Sequence, residues 1–435
     1  MSVAGSLHFG NKSDLLICLE TVQPAVESVP DHDALIVDGS ALVNMLQPGT
    51  SRTFLDYADK VFMPSILSHL AKVHRVDVVW DLYDAMSIKN DARVKRSYGA
   101  RQQVSAMAPI PNKWQEFLRN AANKNELFSF LAEHICSKPI PSGKVLIATK
   151  GRSVICSQQD YSTSRLQPCE HEEADTRMLL HAADMAHNGM YNIVIRTVDT
   201  DVVVLAVAFY HQLLCDQLWL AFGTGKHFRY ISAHDLANSF GPQFCAVLPV
   251  FHAMTGCDTV SAFVGRGKKT CWETWKKFPD VTKTLAKLFH TPQSVVDSDL
   301  KVLERFVVLL YDCNSPCESA NVARRKMFAG KGKTVENIPP TKDALLQHVR
   351  RVIIHRLRIG HTRLTHSYLL SGTDQPECSA CHCPLTVKHI LIECPALISS
   401  RNKHFTASSM KDLFDNVAAR NIINFIKESH FYSTV

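Results

Sequence analysis

Five stretches of this chain each set acidic residues beside an apolar run, and helical text separates them. They are LIVDGS with Asp38, VVWDLYD with Asp81 and Asp84, EHEEADT with Glu170, Glu172, Glu173 and Asp175, TVDTDVVVL with Asp199 and Asp201, and TGCDT with Asp258. Short unbroken apolar runs are strands buried on both faces, and helices between them let successive strands lie parallel. The alternation therefore predicts an α/β fold, a mainly parallel sheet flanked by helices. In such sheets ligands bind beyond the carboxyl ends of the strands, where these acidic residues fall.

ALIVDG is a strand, and SALVNMLQP is a brief helix opening at Ser40 and stopped by Pro48. FLDYADKVFMPSILSHLAKV is helical with Pro64 inside it, and VDVVWD is a second strand. A helix from about Ser87 would line Lys89, Arg93 and Arg96 along one face. WQEFLRNAANKNELFSFLAEHI reads as helix, KVLIATKG as strand, 172–188 as helix, and NIVIRTVDTD, LWLAFG and HFRYIS as strands. From Phe251 the chain is mostly helical. A chain of 435 residues exceeds what one core fills. The division expected is an N-terminal extension (1–30), the α/β domain (31–275), a helical extension and linker (276–348), and a C-terminal region (349–435) beginning at a composition change near Val349.

The chain carries 48 Lys and Arg against 41 Asp and Glu, with basic residues bunched at Lys89–Arg101, Arg266–Lys277, Arg324–Lys333 and Arg350–Arg363. Bunching suits a polyanionic partner, DNA or RNA, although any single cluster also suits a solvated helix face. The opening residues show no cleavable signal, and the longest apolar stretch is interrupted by charges, so no membrane segment is expected. Ten of the 14 cysteines are scattered, which reads as a reducing, intracellular compartment. Nuclear residence is suggested by charge and partner, with ARRKMFAGKGK a weak localisation signal. The sequence names no protein partner.

Gathered carboxylates repel and shift one another's pKa values unless cations sit among them. Magnesium or manganese, which take oxygen ligands and keep several waters, answer that need. Singly, each group has a plainer reading. Asp38 before Gly39 and Ser40 suits a helix cap, Asp81 or Asp84 a turn, and the EHEEAD acids a helix start favoured by its dipole. Asp199 and Asp201, one residue apart at a strand end, are more telling. GCDTVSAFVGRGKK joins Asp258 to a Gly-x-Gly turn and two lysines, a pattern able to hold a phosphate on backbone N–H groups.

Taken together, VDGS, VVWD with its basic helix, EHEEADT, VDTDVVVL and GCDTVSAFVGRGKK make residues 33 to 275 resemble the flap endonuclease and PIN-like nuclease superfamily. The resemblance implies a nuclease in which two magnesium or manganese ions are held by Asp38, Asp81, Glu173, Asp199, Asp201 and Asp258. The ions would activate water for attack on a phosphodiester. The family's other glutamate has Glu170, Glu172 and Asp175 as candidates. The resemblance further implies that Lys89 and Arg93 steady the scissile phosphate, and that Arg96, Gly265, Gly267, Lys268 and Lys269 bind nucleic acid. Residues 100 to 165 show no threading arch, so flap-specific cleavage is not implied.

The tail holds the second pattern, Cys378-x2-Cys381-x7-His389-x4-Cys394 with Cys383 inside it. That is ligand spacing for tetrahedral zinc. With RLRIGHTRLTHSYLLSG before it, this segment resembles the zinc-binding tail that follows the reverse transcriptase of non-LTR retrotransposons, implying a zinc-knuckle-like unit of retrotransposon origin joined near Val349 to His355. Two other readings stand beside the nuclease: an inactive PIN-like nucleic-acid-binding protein of transposon-associated origin, and a transposon-derived interaction module.

Overall fold

The computed structural model of the chain describes residues 8, 10–82, 99–169, 174–258, 260–290, 296–330, 334–358, 376–429 and 431. Asp84, Lys89, Arg93, Arg96, Glu170, Glu172 and Glu173 lie outside the described residues. Seven strands form one sheet: β1 (Ala34–Asp38), β2 (Arg75–Val79), β3 (Val145–Lys150), β4 (Ser153–Cys156), β5 (Asn192–Thr197), β6 (Gln217–Phe222) and β7 (Arg229–Ser232). Their order is β4-β3-β2-β1-β5-β6-β7. The five central strands are parallel, and β4 and β7 are antiparallel edges. The chain winds outward from β1 through β2 to β3, then returns to the other side of β1 for β5 and β6. Connections from β1 and β5 thus depart in opposite directions, which opens a crevice at their carboxyl ends.

Alternate residues of β1 feed two cores. Ala34 and Ile36 join a large cluster on one face, while Leu35 and Val37 join a second on the other. This burial on both faces is why the strand text is apolar without alternation. The edge strand β4 does not stand out in the sequence, because its four residues carry no period of their own. It follows β3 through a tight turn at Gly151, where φ is +57°.

The helices that matter to the cleft are α1 (Asp14–Glu20), α2 (Gly39–Met45), α3 (Ala121–Ser137), α4 (Ala174–His187), α5 (Thr200–Phe209), α6 (Pro242–Met254), α7 (Lys268–Lys277), α8 (Asp297–Tyr311), α9 (Lys342–Arg358) and α10 (Ala419–Glu428). α3 is shorter than the helix read from the sequence. Asn120 breaks the run after Trp114–Arg119 and caps α3 by accepting from Ala122 and Asn123 N–H. The run holding Pro64 is helical from Phe54 to Leu70 and passes through a π turn at Ala58–Phe62, which accommodates the proline's missing donor. The VDTD segment also differs from its strand reading. β5 stops at Thr197, Asp199 caps α5, and Asp201 lies in its first turn.

Within the stretch set apart as an extension, α1 buries Leu15, Leu16 and Leu19 in the main core beside α5 and α7. At the other end, α9 runs through the position of the composition change. Val349, Val352 and Ile353 belong to the main core, whereas the next residue, Ile354, belongs to the small core of the tail with Cys378, Leu391, Phe405 and Phe425. No helix among the described residues is long and apolar enough to cross a membrane.

Candidate metal centres

Three strand ends and one helix start bring the acidic residues to the crevice. Asp38 ends β1 and caps α2, its Oδ1 accepting from Ala41 N at 3.0 Å and its Oδ2 from Thr197 Oγ1 at 3.4 Å. So the cap reading of Asp38 and its placement in the crevice hold together. Gly39 follows because a Cβ there would stand 2.3 Å from the Trp80 indole, which lies over the turn. Asp81, just past β2, accepts from Ala174 N at 3.0 Å and so fixes the start of α4, which carries Asp175. Asp199 accepts from Asp201 N at 2.9 Å.

Asp175, Asp199 and Asp201 each offer a carboxylate oxygen, and these lie within 4.8 Å of one another. Enclosure pushes the Asp175 carboxyl well up, and Asp199, Asp81, Asp201 and Asp38 push it further by repulsion. Asp38 is pushed up to about 7, by burial first and then by Asp81. Asp201 goes the other way. Against its burial, hydrogen bonds from His252 Nε2 (2.9 Å) and Lys12 hold it far below the usual carboxylate range. Hard oxygen donors converging in this way suit a divalent cation, whose charge would relieve the repulsion among them.

Two partners of the cluster escape the sequence reading. Lys12 Nζ lies 2.8 Å from Asp199, 3.1 Å from Asp201 and 3.2 Å from Asp258. His252, buried on α6, orients Asp201. The Gly-x-Gly element differs in detail from its expectation. Gly265 takes φ +65° in an exposed turn, and Gly267 and Lys269 are exposed. Lys268, expected to grip phosphate, is only 1 % exposed. Its Nζ donates to His252 O at 2.5 Å and Thr255 Oγ1 at 2.8 Å, and burial pushes its pKa down to about 8. It fastens the end of α6 to α7, and its stem is too enclosed to meet a polyanion. As the first helical residue of α7 it turns inward, which the lysine pair in the text does not reveal.

In the tail, Cys378, Cys381, His389 and Cys394 place one ligand atom each within 4.8 Å of one another. Cys378 and Cys394 sulfurs are 3.9 Å apart and Cys381 and Cys394 3.7 Å. Four sulfurs 2.3 Å from a tetrahedral zinc stand about 3.8 Å apart, so the spacing fits. The turn between the cysteines is closed by His382 N donating to Cys378 O at 2.8 Å, with His382 itself left-handed at φ 51°. Despite its enclosure, N–H groups of the turn hold the Cys378 thiol below its ordinary value. Cys383 lies 3.4 Å from His389 Nδ1, beside the cluster.

No protein-family model matches the chain, and no curated protein matches it. Among solved structures it is similar to one described as the T5 D15 protein co-crystallised with metal ions. The identity is 11 %, covering 78 % of this chain and 96 % of that one, with a TM-score of 0.36.

Proposed function

We propose that the chain is a metal-dependent nuclease that hydrolyses phosphodiester bonds of DNA or RNA, joined to a zinc-binding tail. The observation that carries this reading is the convergence of Asp175, Asp199 and Asp201 at the point where the strand order reverses, with Asp38 and Asp81 near enough to repel them and the repulsion at Asp38 and Asp175 still uncompensated. Magnesium or manganese bound there would lower the pKa of a water and stabilise the leaving oxygen. The protein's own contribution is placement. Asp38 and Asp199 are each fixed by the helix they cap, Asp81 by the first N–H of α4, and Asp201 by His252. Glu173 completes the ligand set proposed from the family resemblance. Lys89 and Arg93 are proposed to steady the scissile phosphate. Arg96, Gly265, Gly267 and Lys269 are proposed to meet the nucleic-acid backbone, and zinc to occupy the Cys378, Cys381, His389 and Cys394 cluster.

The test is cleavage of labelled single-stranded, duplex and flapped DNA and RNA by the purified chain with magnesium, manganese or chelator. Cutting should require the metal and be abolished in Asp199→Ala. Equal cutting by both proteins would refute the assignment, and metal-independent binding without cutting would establish the inactive nucleic-acid-binding reading instead.

A further inference from the structure

An ammonium group has three N–H donors, and those of Lys12 face one oxygen each of Asp199, Asp201 and Asp258, at 2.8, 3.1 and 3.2 Å. These carboxylates come from the cap of α5, its first turn, and the loop after α6, so no local pairing accounts for the contact. The lysine precedes them by 187 residues or more.

The segment bearing Lys12 is built in. Asn11 Nδ2 donates to Asp14 Oδ1 at 2.8 Å, and Ser13 Oγ donates to Asn11 Oδ1 at 2.7 Å. Upstream, His8 N donates to Ser261 Oγ at 3.0 Å and His8 O accepts from Ala262 N at 2.7 Å, on the loop that follows Asp258. Downstream, α1 is fastened by Leu15, Leu16 and Leu19 in the main core. Lys12 is thereby held from both sides. Its side chain is 24 % exposed, so it is well removed from water while its charge is used in full.

The distribution of charge across the cluster is uneven. Asp199, Asp201 and Asp258 share Lys12, and Asp201 also has His252. Asp38 and Asp175 have no ion pair with any cation among the described residues. We infer that Lys12 is the resident cation of the outer half of the cluster, so that the cleft binds a single divalent ion, among Asp38, Asp81, Asp175 and Asp199, where the family resemblance implies two. This rests on the nuclease reading and refines it. Lys12 acts through the carboxylates as a charge-compensating residue. A second divalent ion could enter only by breaking all three of its ion pairs at once.

The number of manganese ions bound by the full chain, read by electron paramagnetic resonance and calorimetry, tests this directly. Ions belonging to the cleft are those lost in the Asp199→Ala/Asp201→Ala double variant. Wild type should hold one, Lys12→Arg one, and Lys12→Met two, with circular dichroism checking that each is folded. Two cleft ions in wild type would overturn the inference, since the lysine would then be displaced. So would a single ion in a folded Lys12→Met. If Lys12→Met does not fold, the wild-type and Lys12→Arg counts decide alone. Should the inference fail while the nuclease reading stands, wild type would bind two ions and still cut. A wild type that neither binds a cleft ion nor cuts would remove both.

Discussion

Two groups of carboxylates, one inside the sheet and one at its carboxyl end, are treated in opposite ways. In the interior of β2, Asp77 is fully enclosed and held by a guanidinium and an imidazole. Arg75 Nε and Nη2 donate to its two oxygens at 2.7 and 2.6 Å, and His181 Nδ1 lies 2.6 Å from it. The same guanidinium reaches Asp184 at 2.7 Å and the Tyr161 hydroxyl at 3.0 Å. Against burial, Arg75 and His181 hold Asp77 below the usual carboxylate range. At the carboxyl end of the sheet, Asp38 and Asp175 are pushed the other way by burial and by one another's neighbours. The fold thus supplies a cation where acids serve to lock α4 onto β2, and among the described residues it gives none to Asp38 and Asp175 where the crevice opens. Uncompensated charge there is a place for an ion from outside.

The difference can be broken first by stability. Asp77→Ala strands a buried guanidinium and should cost about 3–5 kcal/mol. Asp175→Asn removes repulsion, so in chelator it should leave stability unchanged or raise it. Urea denaturation of both variants decides; a large loss at Asp175 in the absence of metal would erase the contrast.

A second effect, smaller, is in the pH dependence. Asp38 folds with a value of about 7, above its ordinary 3.8, so between those values the folded state binds more protons than the unfolded. In chelator its contribution to stability is therefore lost progressively as pH rises from about 4 to 7. Asp77 has the opposite sign: its lowered value adds stability above about 4 that disappears in acid. Melting temperatures in chelator should fall less steeply over the upper range in Asp38→Asn than in wild type, and manganese should flatten the wild-type profile. Parallel profiles for the two proteins would contradict this. The smallest expected effect is Tyr161→Phe, which removes one neutral acceptor of the Arg75 guanidinium and should cost about 1 kcal/mol by the same denaturation measurement.

How much of this could be read in advance varies with the chain distance involved. The strand ends at Asp38 and Asp81 were legible because apolar runs and turn residues are local signals. Asp199 and Asp201 were legible as a pair but not as the start of a helix, since VVVLAVAF is apolar enough for either element. Asp77 stands inside VDVVW, where nothing in the text distinguishes a buried, paired acid from a surface one. Of its partners, Arg75 stands two residues earlier on β2, itself buried, and His181 lies on α4. Lys12 and His252 meet the cluster only through packing of α1 and α6 against α5, and no spacing rule connects them to the aspartates. Lys268 shows the converse, a residue with the right local pattern whose direction is set by tertiary burial.

The cleft's claim to a divalent ion is tested most directly by anomalous diffraction from crystals grown with manganese. The expected result is a manganese peak ringed by Asp38, Asp81, Asp175 and Asp199 that disappears in Asp175→Asn. Crystals without a peak there, or with one that persists unchanged in the variant, would contradict it.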